Sequence, residues 1–361
     1  MPRWMCSRAS AALAVAMATV LVTSGTGGAT SNSQPTRTRA ATAAPRSIVQ
    51  LGDSIAAGEG TYYGYKYVHG KWTGGNLNVK WDPPHDGCHD SKDAYVHHVA
   101  QHFHPTPAVA QFACTGATFA SGISAPEVSD GTTLRPAEFG NWDTQRDLNP
   151  EYDAAKPDLV LITLGADDVQ FVHIVESCIE NGYAYAFNLA NLACTQANPG
   201  PTIQQDYVSF LPTLEQNDVT LVRWIEERAR AYHDPVPKIV FTTYASPLPP
   251  TGGPSGCADV SQLYRQQVQY LSSLVGRLNQ TITSTVRGLK DPNVAVADIS
   301  RAYTPGRADH RWCTSDPWSY GLSIYSVLSP SSFESQAPFH PTPEGQASIA
   351  GLVIPTVERL F

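Results

Sequence analysis

Positive charge is scarce in this sequence. Lys and Arg together number 24 of the 361 residues, against 32 for Asp and Glu, and the formal net charge at pH 7 is −8. Proteins that bind nucleic acids usually present a basic face to the phosphates. The acidic balance therefore argues against a nucleic-acid partner, and it is ordinary for a secreted protein.

Apolar runs long enough to span a bilayer are also missing. The run near the N-terminus, Ala11–Val22, has about 12 residues, whereas a spanning helix needs roughly 20. Arg3 and Arg8 precede this run and small residues follow it, an order typical of a secretory signal peptide. We interpret residues 1–30 as a signal peptide and 31–45 as a disordered lead-in, with a disordered N-terminal tail as the alternative. No cysteine directly follows the run, which argues against a lipid anchor, so we expect an extracellular protein without an integral membrane segment.

Closely spaced metal-binding cysteines are absent as well. The sequence contains no Cys-x-x-Cys and no paired Cys/His spacing, so we expect neither a metal site nor another cofactor. Cys6 would leave with the signal peptide, and the even number of cysteines that remains favours disulfides in an exported chain. Nearest-neighbour pairing is the simplest of the possible connectivities: Cys88 with Cys114, Cys178 with Cys194 and Cys257 with Cys313.

Five short apolar runs predict the core of the fold. They lack polar alternation, which is typical of strands buried on both faces of a parallel sheet. Helical segments alternate with them, so the chain is predicted to be an α/β protein with helices on both faces of the sheet. The strands are predicted at Ser47–Leu51, Ala108–Phe112, Asp158–Leu164, Lys238–Thr243 and Val294–Asp298, and the helices at Ala94–Phe103, within Tyr207–Tyr232, at Val260–Gly288 and at Glu344–Leu360.

Unusual residues follow three of these strands. The first strand runs into Gly52-Asp53-Ser54, the second into Cys114-Thr115-Gly116 and the third into Gly165-Ala166-Asp167-Asp168. A fourth group, Phe339-His340-Pro341, lies just before the last helix. Ligands of such sheets bind at the carboxyl ends of the strands, where these groups would meet. A serine, a histidine and backbone donors at one edge are the parts of an acyl-transfer site. The absence of a Gly-x-Ser-x-Gly elbow argues against the α/β-hydrolase scheme.

These four groups, in this order, resemble the sequence blocks of the SGNH, or GDSL-type, hydrolase superfamily. The resemblance extends from residue 47 to the C-terminus and is closest to secreted actinobacterial esterases and lipases. It implies an SGNH hydrolase domain at 46–361, built as a three-layer α/β/α sandwich with a mostly parallel, five-stranded, flavodoxin-like sheet. Shared with those enzymes are Gly87-Cys88-His89, Ala113–Gly116, three sequential disulfides, and the Phe-His-Pro ending followed by Gly345-Gln346.

The resemblance implies a role for each residue of the predicted site. Ser54 would be the nucleophile and His340 its base, because a free hydroxyl needs an imidazole to take its proton. The oxyanion hole would comprise the Ser54 and Gly116 backbone N–H groups and the side chain at position 167. Ordinary structural roles are the alternatives: a helix N-cap for Ser54, a surface imidazole for His340 and a turn for Gly116. Asp53 and Asp168 are expected to bond neighbouring groups and brace their loops.

Asp167 departs from the family pattern. The usual Gly-x-Asn-Asp block places an asparagine amide at the oxyanion, but an ionised carboxylate only accepts hydrogen bonds. Asp167 could be protonated and still donate, since burial and nearby acids raise the pKa of a carboxyl group. Otherwise another donor takes its place, or the enzyme is weak or specialised.

Ala337 is the second departure, because the family commonly has aspartate three residues before the histidine. The Ala337 carbonyl could orient His340 instead, giving a Ser–His dyad, and Glu334 is the other candidate. Such an acid holds the imidazole tautomer and stabilises its charged form, so its loss is tolerable.

The predicted function is hydrolysis of carboxylic esters through an acyl-enzyme, of the esterase/lipase type, by a monomer acting on a small-molecule or lipid ester. Removal of acetyl groups from a polysaccharide is one alternative, and a weakly active module that binds glycans or cell wall is another. The aromatic-rich insertion at 62–85 and the insertion at 177–205 could form walls of the substrate pocket. Loop packing is the alternative role of the first insertion.

Overall fold

The structure is a computed structural model. It describes residues 44–61, 65–68, 71–74, 88–129, 133–135, 137–140, 142, 156–248, 263–312, 314–321 and 339–361. The predicted signal peptide, most of the predicted lead-in and the pair Cys257–Cys313 lie outside these residues, as do Ala337 and Glu334.

A five-stranded parallel sheet forms the centre of the described chain. The strands stand in the order β4-β1-β7-β8-β9. In chain order, β4 is added on one side of β1, and β7, β8 and β9 are then added on the other side, so the order of the strands reverses at β1. This order and the helices on both faces confirm the predicted flavodoxin-like, three-layer fold. The strands are β1 (Ser47–Gly52), β4 (Ala108–Gln111), β7 (Leu159–Thr163), β8 (Lys238–Thr242) and β9 (Val294–Ala297).

The mostly apolar sequence of the central strands follows from burial on both faces. Along β1, Val49 and Leu51 belong to one core cluster, whereas Ile48 belongs to the other. In β7, Val160 and Leu161 likewise point into opposite cores. Successive side chains of a strand alternate between faces, so a strand with a core on each side has no position for a polar side chain facing water.

Helices cover both faces of the sheet, and four of them were predicted with ends that differ by a few residues. Helix α3 was not predicted as a helix, because its segment contains β-branched residues, a glycine and an asparagine that obscure a helical pattern. The helices are α1 (Ser54–Ala57), α2 (Tyr95–His102), α3 (Phe171–Ala186), α4 (Ser209–Ala231), α5 (Arg265–Gly288) and α6 (Pro343–Leu360), and a π-helical turn, Ile203–Val208, precedes α4.

Two antiparallel hairpins lie outside the central sheet. One pairs β2 (Tyr65–Val68) with β3 (Lys71–Gly74), inside the aromatic-rich insertion. The other pairs β5 (Glu127–Ser129) with β6 (Thr133–Arg135). The sequence analysis predicted neither hairpin.

Two of the three predicted disulfides are present in the described part of the chain. Cys88 is bonded to Cys114, and Cys178 to Cys194. The second bond ties α3 to the loop that leads to the π-helical turn. Within the residues described, every helix is too short or too polar to cross a membrane.

Candidate active site

Ser54 and His340 lie in contact although 286 positions separate them in the sequence. The Nε2 atom of His340 is 2.7 Å from the Ser54 Oγ atom. Ser54 is the first residue of α1, directly after β1, and His340 lies three residues before α6. The sheet edge therefore brings together the predicted serine and the predicted histidine at hydrogen-bonding distance.

The turn that carries Ser54 requires glycine at position 52. Gly52 has a φ of +131°, and a Cβ atom there would lie 2.0 Å from the Thr163 carbonyl oxygen of the neighbouring strand. The same carbonyl accepts a hydrogen bond from the Asp53 N–H, at 2.9 Å. The Gly52 N–H donates to the buried Glu138 carboxylate at 2.8 Å, a contact that the sequence analysis missed. These bonds fix β1 against β7 just where Ser54 begins its helix.

Asp53, rather than Ser54, caps this short helix. Its Oδ1 atom accepts a hydrogen bond from the Ile55 N–H at 3.0 Å, as expected for a residue that shapes the turn. Its Oδ2 atom accepts a 2.5 Å hydrogen bond from the Tyr244 hydroxyl. Because Asp53 fills the capping position, the alternative of Ser54 as the N-cap is wrong.

Tyr244 connects the serine loop to the loop after β7. Its hydroxyl accepts a hydrogen bond from the Ala166 N–H at 3.1 Å while it donates to Asp53. The Asn279 side chain of α5 holds the Tyr244 backbone through two hydrogen bonds of 2.8 Å. Sequence reasoning missed Tyr244, although its position directly after the fourth predicted strand was a usable signal.

Burial dominates the electrostatics beneath the serine. Loss of solvent raises the pKa of Asp53 to about 7, with a smaller contribution from the Asp168 carboxylate, against the opposing hydrogen bonds from Tyr244 and Ile55. Burial also raises the pKa of Tyr244 well above its usual value, helped by the charges of Asp53 and Asp167. The Tyr244 hydroxyl therefore keeps its proton at neutral pH and donates it in the hydrogen bond to Asp53.

His340 is held by a short backbone pairing with residues 318–320. The Phe339 N–H donates to the Tyr320 carbonyl at 3.0 Å, and the Tyr320 N–H donates back to the His340 carbonyl at 3.0 Å. On the other side, a Cβ atom at Gly60 would lie 2.8 Å from the His340 Cβ atom and 2.7 Å from the Pro341 carbonyl oxygen. The histidine is thus confined between the loop after α1 and residues 318–320.

Gln346 ties the last helix to the serine helix. Its amide donates to the Ile55 carbonyl at 3.0 Å, and its carbonyl oxygen accepts from the Tyr95 N–H at 2.9 Å. Gln346 is fully buried, so these bonds satisfy its polar atoms inside the core. The helix that follows His340 is therefore docked on α1 and α2.

The two glycine-containing loops flank the serine. Gly116 has a φ of +82°, which favours glycine, and the loop is held to β1 by a 2.8 Å hydrogen bond from the Cys114 N–H to the Gly52 carbonyl. Asp167 is partly exposed and lies two residues after Gly165, whose φ is +130°. Asp168 braces this region as expected, since its Oδ1 atom accepts from the Phe119 N–H at 3.1 Å and from the Asn217 amide at 3.5 Å.

Comparison with known proteins gives the chain a context. The sequence profile of the GDSL-like lipase/acylhydrolase family matches residues 51–347. The extracellular lipase from Streptomyces rimosus has a similar structure, with a TM-score of 0.50 and 17% identity over 87% of this chain and 99% of that one. The phospholipase A1 from Streptomyces albidoflavus NA297 aligns with a TM-score of 0.49 and 17% identity, over 88% of this chain and all of that one. No curated protein matches the sequence significantly.

Proposed function

Because the chain belongs to the GDSL-like lipase/acylhydrolase family, we propose that it hydrolyses carboxylic esters through an acyl-enzyme formed on Ser54. The observation that carries this proposal is the 2.7 Å contact between the His340 Nε2 atom and the Ser54 Oγ atom. A nucleophile in hydrogen-bonding contact with an imidazole base is the minimum arrangement for acyl transfer by a serine.

The reaction has two halves in this proposal. Ser54 Oγ attacks the ester carbonyl carbon while His340 Nε2 takes the serine proton, and the tetrahedral intermediate then releases the alcohol, which receives that proton. A water molecule then attacks the acyl-enzyme in the same way. His340 takes one of its protons while the oxygen adds to the acyl carbon, and Ser54 Oγ is released as it receives that proton. The products are a carboxylic acid and an alcohol, and no cofactor takes part in these steps.

The backbone N–H groups of Ser54 and Gly116 are the proposed donors to the oxyanion. Ser54 opens α1, so its N–H has no acceptor within the helix. The positive φ and partial exposure of the Gly116 loop allow its backbone to approach a ligand closely. Asp167, in its protonated form, is the proposed third donor. Its charge is one of those that act on Tyr244, which donates to the buried Asp53.

Short- and medium-chain acyl esters are the proposed substrates, and the protein is proposed to act as a secreted monomer. The family includes enzymes named for lipid and ester hydrolysis, which supports this class of substrate. Deacetylation of a polysaccharide and binding without turnover remain the alternatives for the experiment to separate.

A chromogenic ester series with the wild type and Ser54→Ala tests the proposal. Turnover of butyrate and longer esters by the wild type, lost by at least about 10³-fold in Ser54→Ala, is the expected result. Turnover of acetate alone would favour a deacetylase, and no turnover of any ester would favour a binding module. A serine-reactive phosphonate should label the wild type at Ser54, as read by mass spectrometry, and should leave Ser54→Ala unlabelled.

A further inference from the structure

A buried carboxylate, Glu59, lies beneath the two loops that carry the proposed oxyanion donors. Only 1% of its surface is exposed. It follows Gly58, the left-handed residue that ends α1, and its own N–H donates to the Ser54 carbonyl at 2.9 Å. This hydrogen bond ties the Glu59 backbone to the Ser54 backbone, independently of the contacts of the Glu59 side chain.

The Glu59 side chain reaches the other donor loop. Its Oε2 atom accepts a hydrogen bond from the Thr115 hydroxyl at 2.8 Å. The same oxygen lies 2.5 Å from the His89 Nδ1 atom. Thr115 directly precedes Gly116, so one carboxylate connects the backbone of Ser54 to the residue beside Gly116.

The Gly116 loop is also joined covalently to the segment that carries His89. His89 follows Cys88, which forms a disulfide with Cys114, the residue before Thr115. The Thr115 N–H donates to the Cys88 carbonyl at 3.1 Å. The disulfide holds the Gly116 loop to residues 88–89 and not to the serine loop, so the Thr115–Gly116 backbone can still shift relative to Ser54. A hydrogen bond to the Thr115 side chain restricts that remaining freedom.

A carboxylate at this depth is unfavourable unless it gains strong partners. Removing an ionised group from water costs several kcal/mol or more, and an apolar residue of similar size would avoid that cost. Charge-assisted hydrogen bonds are shorter and more directional than neutral ones. The gain from Glu59 is thus a fixed geometry between the loops.

We propose that Glu59 is a positioning residue that sets the distance between the Ser54 and Gly116 N–H groups through the Thr115 hydroxyl. The inference rests on the proposed function, since those two groups are its oxyanion donors. Glu59 lies beneath the loops and acts through Thr115. Oxyanion donors work by being in place before charge develops, so looser positioning weakens the transition state more than substrate binding.

Thr115→Val is the decisive variant, because valine keeps the shape of threonine and lacks the hydroxyl. We expect kcat for a chromogenic ester to fall on the order of 10-fold with KM changed by less than about twofold. The inhibition constant of a boronic acid, which mimics the tetrahedral intermediate, should rise by the same factor as kcat falls. Thr115→Ser, which keeps the hydroxyl, should restore most of the activity.

Thr118→Val is a matched control in the same loop. The Thr118 hydroxyl donates to the Ser121 carbonyl and accepts from the Ser121 N–H, at 3.1 and 2.9 Å, and neither bond involves Glu59. This variant should lose stability comparable to Thr115→Val but keep its kcat. Glu59→Gln should lower kcat as well. In the double variant, Thr115→Val should lower kcat by a smaller factor than it does in the wild type, because the two residues share one interaction.

Three results would each overturn the role of Glu59. The first is a wild-type kcat in Thr115→Val, the second is an equal loss of kcat in Thr118→Val, and the third is a kcat in Thr115→Ser as low as that of Thr115→Val. Phosphonate labelling of Ser54 separates this failure from failure of the proposed function. If the wild type is labelled while Thr115→Val keeps full activity, the inference alone is wrong. If the wild type is neither labelled nor active on esters, both proposals fall together.

Discussion

Asp167 stands where the family's usual block has an asparagine, and its chemistry differs from that of an amide in one respect. An asparagine amide donates a hydrogen bond at every pH, whereas a carboxyl group donates only when protonated. The proposed third donor would therefore be present only below the pKa of Asp167.

The variant Asp167→Asn tests this difference. We expect its kcat/KM to match the wild type at low pH and to exceed it increasingly as the pH rises, because the wild type loses its donor on ionisation. The full effect of one oxyanion donor is about 10²–10³-fold. Parallel pH profiles of kcat/KM for the two proteins would contradict a donor role of Asp167 and favour another group.

At the scale of elements, the proposed catalytic geometry depends on close contact between the loop after α1 and the segment before α6. Gly60 has a φ of +91°, and an added Cβ atom would overlap the Pro341 carbonyl oxygen and the His340 Cβ atom. Backbone atoms cannot move aside as a flexible side chain can. Relief of the overlap must therefore separate the two segments.

Gly60→Ala should consequently lower kcat by about 10-fold or more, because a displacement near 1 Å at a catalytic group has effects of that order or larger. Gly306→Ala is the matched control: Gly306 also has a positive φ, +61°, but an added Cβ atom there contacts nothing within 4 Å. Both variants should lose stability through backbone strain, read as a lower Tm, while only Gly60→Ala loses activity. Equal kcat values in the two variants would show that His340 tolerates the displacement.

The strands and the positions of the four candidate groups were predictable, because each strand is a short, mostly apolar run and three of them lead into distinctive residues. The fold rule that places ligands at the carboxyl ends of strands then brought Ser54 and His340 together. Tyr244, Glu138 and Glu59 were not predictable in the same way. Each acts on a residue far away in sequence, so its role depends on which loops meet. Of the three, Tyr244 alone left a local signal, its position directly after the fourth predicted strand. Helix α3 was missed because tertiary packing, rather than intrinsic propensity, stabilises it.

At the scale of the whole molecule, buried acids cluster along one side of the sheet. Burial raises the pKa of Asp168 to about 6 and that of Asp53 to about 7, and it raises the pKa of Asp218 well above its usual value. Asp218 is fully buried on α4, and among the described residues neither of its carboxylate oxygens has a hydrogen-bond partner. The folded state therefore holds protons that the unfolded chain has already released.

Stability should accordingly fall as the pH rises. Between the unfolded pKa of 3.8 and the folded values of about 6 and 7, the folded protein binds more protons than the unfolded one, so the free energy of unfolding decreases with pH. Asp218→Asn removes one of these groups and should raise the Tm by about 2–4 °C or more at pH 8 and by less at pH 5, because the destabilisation grows as the pH rises above 3.8. Thermal melts of both proteins at the two pH values measure this. A Tm increase of the same size at both values would mean that Asp218 does not titrate on unfolding.

The distance in sequence between Ser54 and His340 has a consequence for the life of the protein in the cell. A ribosome makes Ser54 before His340, and the imidazole reaches the hydroxyl only after β1 has paired with β4 and β7 and α6 has docked. A partly synthesised or partly folded chain thus carries a serine without its base. In the proposed enzyme, hydrolytic activity would be withheld until folding is complete.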